Sequence, residues 1–181
     1  SFLCTPSPMT GDGLKIRGDG SKNFELVINM LQDMVLHPSN PDPKVMSLDK
    51  YWHPRFNWYG PAGIGTGRGI SGFRHWHQIP FLRAMPDRKG GSSNKNLKSE
   101  GMEDMQTHWI HEGDYVCETG WPNMRSTISK DGWIGIAPSN QIIEMRSLDF
   151  WRIENSLIRE NWVLVDLLDV YQQIGVNVFD R

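Results

Sequence analysis

The chain has 181 residues, enough for one domain with its own core, and 38% hydrophobic with 22% charged residues is an ordinary globular composition. A formal net charge of -2 gives no electrostatic case for nucleic acid or an anionic membrane surface. No apolar run approaches the roughly 20 residues of a membrane-crossing helix, and Cys4 and Cys117 make no disulfide framework, which points to a reduced, cytoplasmic protein.

Residues 1–22 are rich in Gly, Pro, Ser and Thr without a period and read as a flexible arm ahead of a single domain at 23–181. A helix follows, with Phe24, Val27, Ile28, Leu31, Met34 and Val35 at helical spacing. Ser21 or Asn23 is placed to cap it, and His37-Pro38 to end it. A short helix or turn over 44–51 leads to a strand at 55–59. The glycines of AGIGTGRGISG (62–72) fit neither GxGxxG nor a P-loop, so this stretch reads as a turn before a helix. That helix, over 70–85, has a stripe of Ile70, Phe73, Trp76 or His77, and Phe81. Pro80 cannot donate to the Trp76 carbonyl, which predicts a kink. Residues 88–101 read as a polar loop, either a flap or an unstructured connection.

The second half alternates as strands do. Candidate strands are 107–111, 115–119, 124–129, 132–136, 141–153 and 157–165, with Asn155-Ser156 as a hairpin turn and a closing helix at 167–174. Helices first, then antiparallel strands, predict an α+β fold with helices covering one face of a curved sheet.

Asp149 is the sharpest signal. Strand alternation puts it on one face with Ile143, Met145, Ser147, Trp151 and Ile153, while Glu144, Arg146 and Arg152 take the other. An acid among apolar neighbours either pairs with an arginine or a Trp N–H to stabilise the fold, or sits in an aromatic pocket with a raised pKa, able to shuttle a proton. Asn161, on the next strand, suits a carbonyl or hydroxyl ligand or a plain strand amide. His75 and His77 lie two apart on a helix, so they cannot chelate one ion, and no other ligand cluster suggests a metal. His77 falls on the apolar stripe, as a core histidine or an acid/base group at the pocket. Cys117 reads as a small buried hydrophobe. Eight tryptophans could fill the core or line a pocket for a flat apolar ligand.

WHPRFNWYGPAGIGTGRGISGFRHWHQIPFLRAMPDR (52–88), followed by LDFWRIENSLIRENWVLVDLLDVYQQIG (148–175), resembles the SnoaL-like polyketide cyclases and predicted ester cyclases, within the nuclear-transport-factor-2-like superfamily. The resemblance covers about 24–175, with 88–101 as an insertion. It implies a cone-shaped α+β barrel, about three helices on a strongly curved, mostly antiparallel sheet around a deep pocket, and a homodimer formed through the sheet. It also implies ring closure by intramolecular aldol condensation with no metal and no cofactor. Asp149 matches a cavity-lining polar position, and resembles the oxyanion-hole aspartic acid of ketosteroid isomerases, which an apolar site keeps neutral. The cyclases' acid/base aspartate falls on Val163, with Asp166 three residues on, and the isomerase base is replaced by the Asn57-Trp58-Tyr59-Gly60 region.

The expectation is a cyclase, isomerase or hydratase acting on a small apolar carbonyl compound. Asp149 would move or donate the proton, with Asn161 and His77 orienting the substrate. Trp58, Tyr59, Phe73, Phe81, Trp121, Trp133 and Trp151 would wall the pocket, with Asp166 at the ligand. The alternative is a protein of the same fold that binds a small hydrophobic ligand without catalysis.

Overall fold

The apolar stripe read between Phe24 and Met34 is a helix, α1 (Ser21–Leu36), with Val27, Ile28 and Met30 buried. The computed structural model describes residues 18–36, 48–91 and 99–180. Neither expected residue caps α1. The Ser21 N–H donates to Asp19 Oδ1 (3.0 Å), and Asn23 lies inside the helix, its amide donating to the Gly113 carbonyl (2.8 Å). The Gly113 N–H in turn donates to the Gly18 carbonyl (3.0 Å), so residues 18–22, read from composition as arm, are tied into the fold. His37-Pro38, Cys4 and residues 44–47 lie outside the described residues.

The second helical segment has three parts: α2 (Gly69–Phe73), a π-helical turn (Arg74–Gln78) and α3 (Ile79–Ala84). Pro80 does interrupt the helix. The interruption takes the form of the π turn just before it, where wider rings absorb the missing donor. The wider turn brings His77 to the inside and leaves Trp76 outside, 62% exposed. The third, α4 (Leu167–Gln173), starts at Asp166, whose carboxylate accepts from the Asp169 N–H (3.1 Å).

The strands are β1 (Trp52–Tyr59), β2 (Thr66–Arg68), β3 (Lys89–Gly90), β4 (His108–Glu112), β5 (Tyr115–Thr127), β6 (Ile142–Glu154) and β7 (Leu157–Val165). They form one mixed sheet in the order β2-β1-β7-β6-β5-β3, with β4 beside β3 on the same edge of β5. Only the β1–β7 pair is parallel among the described strands.

Several expected boundaries change for local reasons. The glycine-rich stretch contributes β2, which folds back antiparallel on β1, and the polar loop contributes β3. The strands expected at 115–119 and 124–129 are one strand, bulged between Gly120 and Met124. The strand expected at 132–136 is a tight turn closed by mutual Trp133 and Ile136 backbone bonds (2.9 and 2.8 Å), with positive φ at Ile134 and Gly135. The β6–β7 hairpin turns at Asn155 and Ser156, both at positive φ (51° and 62°), the conformation of a two-residue type I′ turn. Between sheet and helices, Trp52, Phe56 and Phe73 pack ring against ring, with centroids 4.3–5.7 Å apart.

Candidate active site

Paired residues on neighbouring strands point to the same face, so the register of β5, β6 and β7 sets side chains in rows. One inward row is Glu118, Asp149 and Val163. The next is Trp151, Asn161 and, from β1, Trp58. These rows border a cavity of about 140 Å³, close to the ~150 Å³ of an engineered cavity that takes benzene. Met30, Leu31 and Met34 of α1 reach it, as do Phe73, His77, Phe81 and Leu82 of the second helical segment. Trp133 and Trp52 complete much of its aromatic wall.

Two carboxyl groups therefore stand side by side in a largely apolar wall. Asp149 Oδ1 accepts from Asn161 Nδ2 (3.1 Å), and the same amide also donates to the Phe150 carbonyl (3.1 Å). Glu118 Oε1 accepts from Asn123 Nδ2 (3.4 Å). Asn123 is held by Ser147, whose hydroxyl both accepts from it (2.8 Å) and donates back (3.1 Å). Burial pushes the Glu118 carboxyl up to about 8, and the Asp149 charge adds to the rise. Burial likewise raises Asp149, to about 7, against the Asn161 hydrogen bond. Two like charges on neighbouring strands do not both ionise readily, so the pair keeps protons to higher pH than ordinary carboxyls do.

The other polar groups set the field around this pair. Arg88, just before β3, borders the cavity with its guanidinium carbon 5.7 Å from the Phe81 ring centroid. Its charge partly restrains the rise of Glu118. His77 stacks on Trp58, centroids 4.1 Å apart and planes 12° from parallel. Burial and the nearby Arg88 charge push His77 down to about 3, so its ring is neutral at physiological pH. Among the described residues, its Nδ1 is buried without a partner.

Of the residues picked from sequence, Asp149, His77, Asn161, Trp58, Phe73, Phe81, Trp133 and Trp151 border the cavity. Three do not, and each needs correcting. Tyr59 follows Trp58 on β1 and so faces the outside of the sheet, stacked on Trp162 (5.6 Å) with its hydroxyl 3.4 Å from Glu160 Oε1. Trp121 sits in the β5 bulge, 63% exposed, under Arg146. Asp166 lies past the end of β7, capping α4 and paired with Arg146 (3.4 Å). Val163 does stand at the cavity, directly beside Asp149 in register.

Sequence reasoning missed Glu118, Arg88, Trp52 and the Asn123–Ser147 support. Glu118 had a signal, since alternation in 115–119 puts it on the face of Val116. Arg88 had none, because it opens a loop of polar residues. Among the described residues, no three His, Cys, Asp or Glu side chains converge as a metal ion requires, and no helix is long and apolar enough to cross a membrane.

Residues 29–174 match the sequence pattern of the family described as SnoaL-like polyketide cyclase. Among solved structures, a candidate SnoaL-like polyketide cyclase from Jannaschia sp. CCS1 is similar, with a TM-score of 0.63 at 18% identity, covering 88% of this chain and 96% of that one. An NTF2-like protein of unknown function from Burkholderia pseudomallei K96243 is similar at a TM-score of 0.55 and 15% identity, over 86% and 98% of the two chains. TerC, crystallised together with polyporic acid, gives a TM-score of 0.55 at 14% identity, over 86% and 99%. No curated protein sequence matches the chain.

Proposed function

The chain belongs to the SnoaL-like polyketide cyclase family, and from that premise we propose that it is a cofactor-independent acid/base enzyme that enolises a small carbonyl compound and then cyclises or isomerises it. The observation that supports this most is the Glu118–Asp149 pair in the cavity wall, two neighbouring carboxyls that burial raises above the ordinary carboxylate range. Val163 leaves the family's acid position without a carboxylate, and Asp149 beside it supplies one from the neighbouring strand.

In this reading the ionised member of the pair removes an α-proton, and the C–H electron pair moves onto the carbonyl oxygen as an enolate. For cyclisation, the enolate carbon attacks a second carbonyl of the same molecule. A C–C bond forms, and the new alkoxide takes the proton back from the pair. No atom is gained or lost. Asn161 positions Asp149, while neutral His77 serves as wall and hydrogen-bond partner rather than proton carrier. The sheet would wrap the cavity as a cone, and the protein would work as a homodimer joined through the outer sheet face.

A second reading, ligand binding without catalysis, draws on the mainly apolar wall and on TerC, a protein of this fold crystallised with a small molecule. Exchange of α-protons of cyclohexanone and acetophenone into D₂O, followed by NMR, separates the two. The enzyme should exchange them faster than buffer. Asp149→Asn and Glu118→Gln should each slow exchange by at least ~100-fold while acetophenone affinity stays within about tenfold. Acetophenone that binds without accelerated exchange would leave only the binding reading.

A further inference from the structure

Arg88 is poorly satisfied for a cation at a cavity wall. Among the described residues, Nη1 lies 3.9 Å from Met124 Sδ, a weak acceptor, and Nε is buried with no partner. It also faces the Phe81 ring, and the nearby Glu118 favours its charged form. A guanidinium keeps its proton and presents five donors, so leaving it unmet in a partly desolvated place is costly. Among the described residues, three other residues of this wall also carry a buried nitrogen without a partner: His77 Nδ1, Trp52 Nε1 and Trp151 Nε1. The acids lie on β5 and β6, with Glu118 close enough to feel the Arg88 charge.

The geometry points to a more specific substrate class: a one-ring compound with an acidic enol or phenol hydroxyl conjugated to a carbonyl, bound as its oxyanion on Arg88 with its carbonyl-bearing carbon toward Glu118 and Asp149. This rests on the reading of the cavity as the substrate site, and narrows it. Size supports a single ring, since about 140 Å³ is a benzene-sized space. Charge supports an anion. A neutral ketone offers Arg88 a carbonyl acceptor but no countercharge, whereas one oxyanion meets it with charge-assisted hydrogen bonds.

The titratable and charged groups bordering the cavity are Glu118 on β5, Asp149 on β6, His77 on the π turn and Arg88 itself. His77 stays neutral and Arg88 stays charged, so only the carboxyl pair changes charge near neutrality. Loss of the pair's last proton adds a negative charge beside the bound oxyanion. Affinity for an ionised ligand should therefore fall as pH rises through the pair's range, from about 7 to about 8.

The probes are 4-nitrophenol, which ionises and reports its ionisation by absorbance, and 4-nitroanisole, its neutral O-methyl analogue. The wild-type protein should bind nitrophenol at least ~tenfold tighter than nitroanisole at neutral pH and should ionise bound nitrophenol at lower pH than in solution. Arg88→Met should remove most of that preference with nitroanisole binding kept within ~threefold, and Arg88→Lys should restore part of it. Equal affinity for the two probes, an ionisation midpoint unchanged or raised on binding, or a preference that survives Arg88→Met would overturn the inference. The first two are measured on the wild-type protein, so they decide even if the variants do not fold. Intact nitrophenol preference without ketone α-exchange would defeat the enzymatic reading alone. Ketone exchange with no nitrophenol preference would defeat this inference alone.

Discussion

Among the described residues no salt bridge reaches Glu118 or Asp149, and burial outweighs the nearby Arg88 charge, so the fold is better off when they hold protons. Both carboxyls lie above their ordinary values in the native state, chiefly through burial. The unfolded chain releases these protons at about 4, the native protein only near 7 to 8. Between those limits the native state binds more protons than the unfolded one. Its stability therefore falls as pH climbs through that window. Glu118→Gln removes the more strongly raised of the two titrating acids. The variant should gain stability relative to wild type on going from about pH 5 to about pH 9, by on the order of 1 kcal/mol or more, read by urea unfolding at both pH values. A difference that does not change with pH would mean that burial does not raise the Glu118 carboxyl.

At the scale of the element, β5 does the unusual work. Its bulge between Gly120 and Met124 turns Asn123 inward, where Ser147 fixes it and it donates to Glu118. Gly120 makes this possible. A Cβ there would stand 2.1 Å from the Asn123 Cβ and 2.7 Å from the Gln106 carbonyl oxygen, and the latter, being backbone, cannot simply swing away. Gly120→Ala should therefore displace Asn123, cost roughly 1–3 kcal/mol in urea unfolding and slow α-proton exchange. An alanine variant as stable and as active as wild type would show that the bulge is not what holds Glu118. The same bulge explains what the sequence hid. The alternation of β6 and the Asn155-Ser156 turn are local patterns, so Asp149 and its face could be read directly. Gly120-Trp-Pro-Asn breaks the alternation of β5, which then reads as two strands and separates Glu118 from its partner. That the two acids meet is a matter of register, which depends on pairing between segments and not on either segment alone. Tyr59 and Trp121 show the converse, since an aromatic side chain suits a pocket wall and an outer face equally well. Arg88 enters the site from a polar loop, where no periodicity assigns an inside.

The molecule uses both faces of the same strands. The inward rows make the cavity, and the outward rows should make the contact with a second copy. Ile110, Cys117, Phe150, Trp162 and Tyr59 are consecutive register partners on β4, β5, β6, β7 and β1, forming one apolar row across five strands. Burial pushes the Cys117 thiol up to about 11, so in this row it packs as a small hydrophobe and is a poor nucleophile. Ile110 is 64% exposed, Phe150 41% and Leu164, on the adjoining row, 60%, a larger apolar surface than isolated surface residues would give. Contact with another copy of the same sheet would cover it, and two such faces are self-complementary by symmetry. The wild-type protein should sediment as a dimer. Trp162→Arg together with Leu164→Lys should shift it to monomer, because each dimer would bury four unpaired cations at an apolar contact. Both side chains point away from the cavity, so acetophenone binding should survive the change. A wild-type protein that stays monomeric at every concentration, or a double variant that dimerises as before, would place the subunit contact elsewhere or remove it. Loss of acetophenone binding on dissociation would instead mean that the cavity depends on the second subunit for its shape.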